Sequence, residues 1–301
     1  MALGSNHVTV TTAATFIPEV WSDEIVAAYK KNLVAANLIK KMSFKGKKGD
    51  TVHIPAPNRG SASAKSANTQ VTLIAATESE KTVSINQHWE YSRLIEDIVE
   101  AQALSSLRQF YTDDAGYALA RQVDTSLIRL GRSTNGGDGT ADYTGAYSGA
   151  DGTTAYTDTA GALTDAAIRR TIQRLDDNDV PMDGRFLIVP QSTRNTLMGI
   201  ARFTEQAFVG EQGGNNTIRN GEIGNVYGIP VFVTSNADAA TDGDRIVLMG
   251  HKDFAVLVEQ MGVRTQTQYK QEYLGTLFTA DVLYGVGELR DFGAIALAVP
   301  A

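Results

Sequence analysis

Few side chains in this chain have both the type and the spacing for chemistry. GKKGD at residues 46–50 has the glycines and lysines of a phosphate cradle. It lacks the G-x-x-x-x-G-K-[ST] spacing, and no helix follows it. Gly285-Val286-Gly287 has no third glycine where a dinucleotide-binding turn needs one. GAYSG at residues 145–149 places its serine one position too late for a nucleophile elbow. The acidic run Asp176, Asp177, Asn178, Asp179 and Asp183 offers oxygen ligands to a hard cation, but out of EF-hand order and interrupted by Val180-Pro181. Its simpler reading is a helix end turning into a strand. The four histidines (His7, His53, His88 and His251) are far apart, and cysteine is absent, which removes thiolate catalysis, disulfides and Cys-built metal sites. No catalytic residue, cofactor or metal is assigned, and the chain reads as a non-enzyme.

The elements that would position a site are better marked. The 301 residues are 43% hydrophobic and 20% charged, enough for one large or two modest domains. No apolar run reaches the eighteen residues of a membrane span, and the N-terminus lacks a signal-peptide pattern. The net charge is −7, yet residues 40–70 carry Lys40, Lys41, Lys45, Lys47, Lys48, Arg59 and Lys65 against Asp50 alone. A basic block on an acidic body marks a surface that meets phosphates or the acidic face of another subunit; the alternative is a solvated loop. No nucleic-acid-reading motif accompanies it.

Residues 18–41 read as a helix, with Pro18 at its start, lysines at its end and Trp21 in its apolar stripe. Residues 43–88 read as a two-stranded excursion with a small, polar tip, and the alternation of Val83, Ile85 and Trp89 returns it to the body. Residues 94–130 carry the strongest helical period, roughly 50 Å of uninterrupted helix closed by Gly131. The Gly-, Thr- and Tyr-rich residues 131–161 read as an exposed loop or hairpin insertion. From residue 162 the pattern becomes α/β: a helix over 164–175 capped by Thr164, a strand over 185–189 ended by Pro190, a short helix, and strands at 231–234, 245–249 and 254–259. Alternation weakens over 263–269, and at least two more strands follow.

Four stretches, in order, resemble tailed-bacteriophage major capsid proteins of the Hong Kong 97 type. They are LDDNDVPMDGRFLIVPQSTRNTLM at 175–198, NGEIGNVYGIPVFVTSN at 220–236, DRIVLMGHKDFAVLVEQ at 244–260 and LYGVGELRDFGAIAL at 283–297. The resemblance covers nearly the whole chain and implies an α+β fold. Its parts would be an N-terminal arm and helix (1–42), an extended loop (43–88), a peripheral domain with a spine helix and the Gly-rich insertion (89–161), an axial domain (162–272), and C-terminal strands returning to the peripheral domain (273–301). Gly224, Gly228 and Pro230 would shape axial-domain turns. Lys47, Lys48, Arg59 and Lys65 of the extended loop would meet an adjacent subunit.

The implied function is a shell of pentamers and hexamers enclosing the double-stranded DNA of a tailed phage. The protein would be located in the virion capsid and assembled in the bacterial cytoplasm. Implied partners are further copies of the chain, a separate scaffolding protein, a portal, a decoration protein and DNA contacted without sequence preference; no membrane is involved. An encapsulin-type nanocompartment shell shares the fold and is the alternative. An α/β ligand-binding domain or enzyme is a third reading.

Overall fold

The computed structural model describes residues 34–57, 60–71, 73, 78–102, 107–132, 146–147, 163–200, 224–239 and 245–299. The described chain begins with a short helix, α1 (Ala35–Leu38), and strand β1 (Lys40–Ser43). Strands β2 (Thr51–Pro57) and β3 (Glu78–Ser84) follow, then β4 (Gln87–Glu96) and helices α2 (Asp97–Gln102) and α3 (Leu107–Arg129). Next come β5 (Ala146–Tyr147), α4 (Asp165–Asp177), β6 (Arg185–Pro190) and α5 (Gln191–Met198). The last strands are β7 (Asn225–Val226), β8 (Ile229–Thr234), β9 (Arg245–His251), β10 (Ala255–Lys270), β11 (Gly275–Glu288) and β12 (Ala294–Val299). They form a six-stranded sheet in the order β5-β12-β9-β6-β8-β7, a four-stranded sheet in the order β1-β10-β11-β4, and the separate ribbon β2-β3.

The six-stranded sheet is a middle layer. In β6 every residue is buried, because Phe186 and Ile188 face one side while Leu187 and Val189 face the other. That double burial explains a continuous apolar run instead of alternation. One side packs against α4, whose Ala167, Ile168, Thr171 and Leu175 recur at helical spacing. Thr164 starts this helix by accepting a hydrogen bond from the Ala167 N–H at 3.2 Å. The other side shares a core cluster with Ala115, Leu119, Leu127 and Ile128 of α3, a helix that lies chiefly against β4, β10 and β11. The buried Tyr284 of β11 meets Ser126 of α3, hydroxyl to hydroxyl at 2.9 Å. Burial raises the Tyr284 phenol above its usual range.

Helical periodicity overreached at both of its strongest stretches. Residues 94–96 belong to β4, not to a helix over 94–130, since β4 pairs with β11 through ten registers from Gly275↔Glu96 to Tyr284↔Gln87. A ladder of that length outweighs a local helical preference. Lys40 and Lys41 do not close a helix either. They lie in β1, which runs parallel to β10 from Lys40↔Val256 to Ser43↔Glu259. Residues 18–33 fall outside the described part, Trp21 with them. Trp89 is 40% exposed instead of core-facing, its indole N–H donating to Gln87 at 3.2 Å. Residues 263–269, weak in alternation, are strand throughout. Of the 131–161 insertion, the described Ala146–Tyr147 pairs with β12 at Leu297 and Ala296.

Two further features shape the body. β10 and β11 form a long hairpin whose register slips between Glu259 and Met261 and again between Met261 and Arg264. Asp124 of α3, fully buried, joins three segments. Its Oδ1 accepts from the backbone N–H groups of Val34 at 3.1 Å and Ala35 at 2.7 Å. Its Oδ2 accepts from the Asn236 amide at 3.0 Å, just past β8. Asp124→Ala strips the acceptor from all three donors, and a loss of about 3 kcal/mol or more is expected. Urea denaturation of the unassembled subunit measures it, with Asp124→Asn expected to fall between.

Candidate assembly surfaces

The ribbon is fixed at its root and nowhere else among the described residues. Val83 and Ile85 are buried against Val256 and Val258, flanked by Val52, Ile54 and Phe44. Glycine makes this contact possible. A Cβ on Gly285 would lie 2.5 Å from the Ser84 carbonyl oxygen, and one on Gly287 would lie 2.6 Å from the Val83 side chain. The pair that fails as a dinucleotide loop is therefore the bed on which the ribbon crosses the sheet. Polar ties surround it: Lys81 to Asp291 at 3.0 Å, Lys45 to Glu259 at 3.5 Å, and the Gln260 amide donating to the carbonyls of Lys47 and Gly49 at 3.1 and 2.9 Å. Each exposed ion pair adds little by itself. A groove of about 600 Å³ runs beneath the ribbon between Ile54 and Asn178, with Lys40, Lys81 and Arg290 facing Asp179 and Asp253.

The loop cations are spread along this excursion. Lys47 and Lys48 sit at the root between β1 and β2, both exposed, with the Lys47 ammonium 5.3 Å from the Phe44 ring centroid. Lys65 is exposed in the segment joining the far ends of β2 and β3. Arg59 lies outside the described residues. No carboxylate of the same chain neutralises Lys47, Lys48 or Lys65 among the described ion pairs.

The axial turn is a two-residue hairpin. Val226 pairs with Ile229, and Tyr227 and Gly228 between them have φ of 52° and 79°. Two successive positive φ values define the I′ type that matches strand twist. A Cβ at Gly228 would meet nothing within 4 Å, so the demand there is conformational. Tyr227 accepts the same backbone region, and its hydroxyl donates to Asp165 in the first turn of α4. The Gly224 carbonyl accepts from Val231 N–H at 3.2 Å. Pro230 lies opposite Asn225 and just before the β6 ladder begins at Leu187↔Val231, so its missing donor breaks no inner bond. Residues 220–223 lie outside the described part.

The other chemistry-bearing groups are internally satisfied. Arg185, 4% exposed, donates to Asp176, to the Pro181 carbonyl at 3.0 Å and to the Val180 carbonyl. The acidic run thus closes around an arginine, as a helix end turning into a strand. His251 Nε2 lies 2.8 Å from the Asp183 carbonyl and Nδ1 lies 3.2 Å from the Asp253 backbone N, so both ring nitrogens have partners within the chain. No cluster of three or more His, Asp or Glu able to hold a metal occurs among the described residues. No described helix is long and apolar enough to cross a membrane.

One polar cluster gave no sequence signal. Asp281 of β11 receives a two-pronged hydrogen bond from Arg264 at 3.0 and 2.8 Å, and His88 of β4 approaches at 3.4 Å. These three residues lie 17 and 193 positions apart, so only strand pairing brings them together. The Arg264 hydrogen bonds, opposed by burial and aided by His88, hold the Asp281 carboxyl below the ordinary carboxylate range. The far end of this arm exposes Ile98, Tyr273 and Leu274, each more than 60% accessible.

The model of the family described as "Phage capsid protein" matches residues 90–298. No curated protein matches the chain. Among solved structures, one from Mycobacterium phage Che8 aligns at TM-score 0.75 and 24% identity, covering 93% of this chain and 96% of that one. The capsid structure of cyanophage P-SCSP1u aligns at TM-score 0.74 and 21% identity, covering 99% and 96%. The mature capsid of bacteriophage PhiM1 aligns at TM-score 0.69 and 14% identity, covering 94% and 91%.

Two outcomes are expected from this geometry. Gly228→Val costs about 2 kcal/mol, because a β-branched residue is strained at that φ, whereas Gly228→Asn costs much less; thermal unfolding of the soluble subunit compares them. Asp281 has a depressed folded pKa, so its stabilisation is present above about pH 4 and is lost as pH falls below that value. Denaturant midpoints between pH 3 and 7 should show an acid limb that Asp281→Asn flattens.

Proposed function

The chain belongs to the phage capsid protein family and has the Hong Kong 97-type fold, and we propose from that premise how it builds a shell. It is a major capsid protein, a structural component of the virion whose partners are first of all copies of itself. Pentamers and hexamers of it close into an icosahedral container around the double-stranded DNA of a tailed phage.

The observation that carries this reading is the ribbon anchored only at its root. An isolated two-stranded ribbon has no core and is marginal in water. Past Ile54 and the Lys81–Asp291 ion pair, only an open groove lies between this one and its own body among the described residues, and residues 60–71 are exposed throughout. It is stabilised by lying on a neighbour, and Lys47, Lys48, Arg59 and Lys65 face acidic groups there, in keeping with the chain's overall charge of −7. The six-stranded sheet forms the axial domain, with bounds shifted from the 162–272 expected: β12 (Ala294–Val299), expected to return to the peripheral domain, lies in this sheet, while β10 (Ala255–Lys270) pairs with β11 in the other. Its β7–β8 hairpin, with Gly224, Gly228 and Pro230, shapes the rim that meets equivalent rims around five- and six-fold axes. The long hairpin with β4 and α3 forms the peripheral domain. Closure removes free edges, so many modest contacts sum to a stable lattice.

The remaining assignments follow from the same reading. DNA is contacted diffusely through phosphates, and assembly takes place in the host cytoplasm with a scaffolding protein, a portal and a decoration protein. The chain performs no catalysis. A cargo-enclosing nanocompartment would use the same fold, and the content of purified particles separates the two.

Electron microscopy of the expressed chain together with its neighbouring genes should reveal closed particles. Deleting residues 59–70 should leave a subunit with an unchanged unfolding midpoint that forms no closed shells. Normal particles from the deletion would overturn the ribbon's role, and failure of the intact chain to close would overturn the reading itself.

A further inference from the structure

The four-stranded sheet has a different covering on each face. Val256, Val258 and Gly285 turn toward the ribbon, whereas Ala280, Val282 and Tyr284 turn toward α3. Ribbon and helix therefore occupy opposite sides. β4 is an edge strand of this sheet, with no described strand beyond it. On the helix side its Gln87, Trp89, Tyr91 and Arg93 stand along α3. A groove runs between edge strand and helix, and no described strand closes its outer flank.

Arg93 is braced at one end of this groove. Its guanidinium carbon lies 5.7 Å from the Tyr91 ring centroid and 5.3 Å from that of Tyr111, and its Nε donates to the Tyr91 hydroxyl at 3.1 Å. That hydroxyl donates in turn to Asp114 at 2.9 Å. Stacking between two rings fixes the guanidinium plane before any ligand arrives, and no described hydrogen bond uses its two terminal nitrogens. Four residues back along β4, about 13 Å away, Trp89 lies beside Arg129. With Gln87, Gln122 and Ser126 they line a cavity of about 200 Å³. Arg121 and Arg129 are exposed on α3, eight residues and about 12 Å apart. Among the described ion pairs, no carboxylate takes Arg93, Arg121 or Arg129.

We propose that the groove between α3 and β4 holds the phosphate backbone of duplex DNA, with Arg93 and Arg129 as its two contacts and Arg121 beside them. A planar guanidinium with free terminal nitrogens matches two phosphate oxygens at once. The span of about 12 Å covers roughly four base steps of about 3.4 Å each, so both ends of the groove reach one strand. A protein partner would need an apolar centre to pack against. This groove instead exposes arginine beside amide and aromatic groups, the polar and positive character of a nucleic-acid interface. Contacts to phosphate carry no sequence preference. The inference rests on the DNA-enclosing shell proposed above, and it moves the phosphate contact from the basic ribbon to the opposite face of the sheet.

Salt dependence counts the phosphates engaged. Fluorescence anisotropy follows a labelled duplex of about 20 base pairs as the unassembled full-length subunit is added, between about 50 and 200 mM salt. Arg93→Gln and Arg129→Gln are each expected to weaken binding at the lower salt and to reduce the log–log slope by about 1, and the double variant by about 2. Arg93→Lys keeps the charge but loses the fork, so it should keep the slope and lose affinity. Arg170→Gln, exposed on α4 across the six-stranded sheet, removes the same charge and should leave the slope as it was. Thermal midpoints confirm folding; where Arg93→Gln lowers the midpoint, Arg121→Gln takes its place with the same expectation. The site is overturned by an intact subunit that does not bind the duplex, or by arginine variants that keep the full slope. A slope that falls instead with Lys47→Gln and Lys48→Gln puts the phosphates on the ribbon and overturns it too. Polyglutamate that displaces the duplex as well as unlabelled duplex does would assign the groove to an acidic protein, against the proposal. Particles that hold DNA while the site fails leave the shell reading standing, whereas particles that hold cargo protein and no DNA remove the reading beneath it.

Discussion

A buried carboxylate must have its oxygens satisfied or the fold does not hold. Asp124 meets that condition only with donors brought from 90 and 112 positions away. The spine helix therefore cannot settle against the sheet until the chain before β1 and the chain after β8 are both in place. Once Val34 and Ala35 are tied to it, Lys40–Ser43 is delivered alongside β10. That in turn places the root of the ribbon over Gly285 and Gly287. One side chain thus couples the helix, the axial sheet and the start of the projecting ribbon.

Division of labour follows from this arrangement. The six-stranded sheet carries the most continuous burial, as β6, β9 and β12 show. The ribbon and the outer arm bury little within the subunit. Their side chains are polar, their backbone edges are unpaired among the described residues, and their apolar groups gather at the far tip. A protein that must fold alone and then associate keeps its two sets of contacts apart in this way.

Much of the fold was legible because local and global preferences agree. Thr164 caps a helix that presents Ile168 and Leu175 inward, and RFLIVP reads as a strand ended by its proline, whose burial on both faces the structure adds. Tyr-Gly before Ile-Pro-Val marked a turn, and the structure supplies its type. The misreadings came where long-range pairing decides. Leu94 and Ile98 fit a helical stripe, yet β11 claims Leu94 as strand, and the lysines at 40–41 look like a helix end until β10 is seen beside them. Asp124 sits one residue off an apolar stripe and looks solvent-facing in sequence. Asp281, Arg264 and His88 belong to three strands and have no common linear signal. Of the candidate surface, the basic excursion and the axial glycines were visible in the sequence. The open edges were not, since an edge is defined by which strands are neighbours.

The register slips between Glu259 and Arg264 have a mechanical meaning. Hydrogen-bond ladders resist bending along the strand, and a bulge interrupts that resistance while adding local twist. The base of the hairpin is clamped by the tight glycine bed, and its outer half is braced by three regularly paired strands. Compliance is left to the few residues between these stiff parts. For a tile that must fit rings of different curvature this is the natural place for flexure, since a change of angle there moves the tip in proportion to the length of hairpin beyond it.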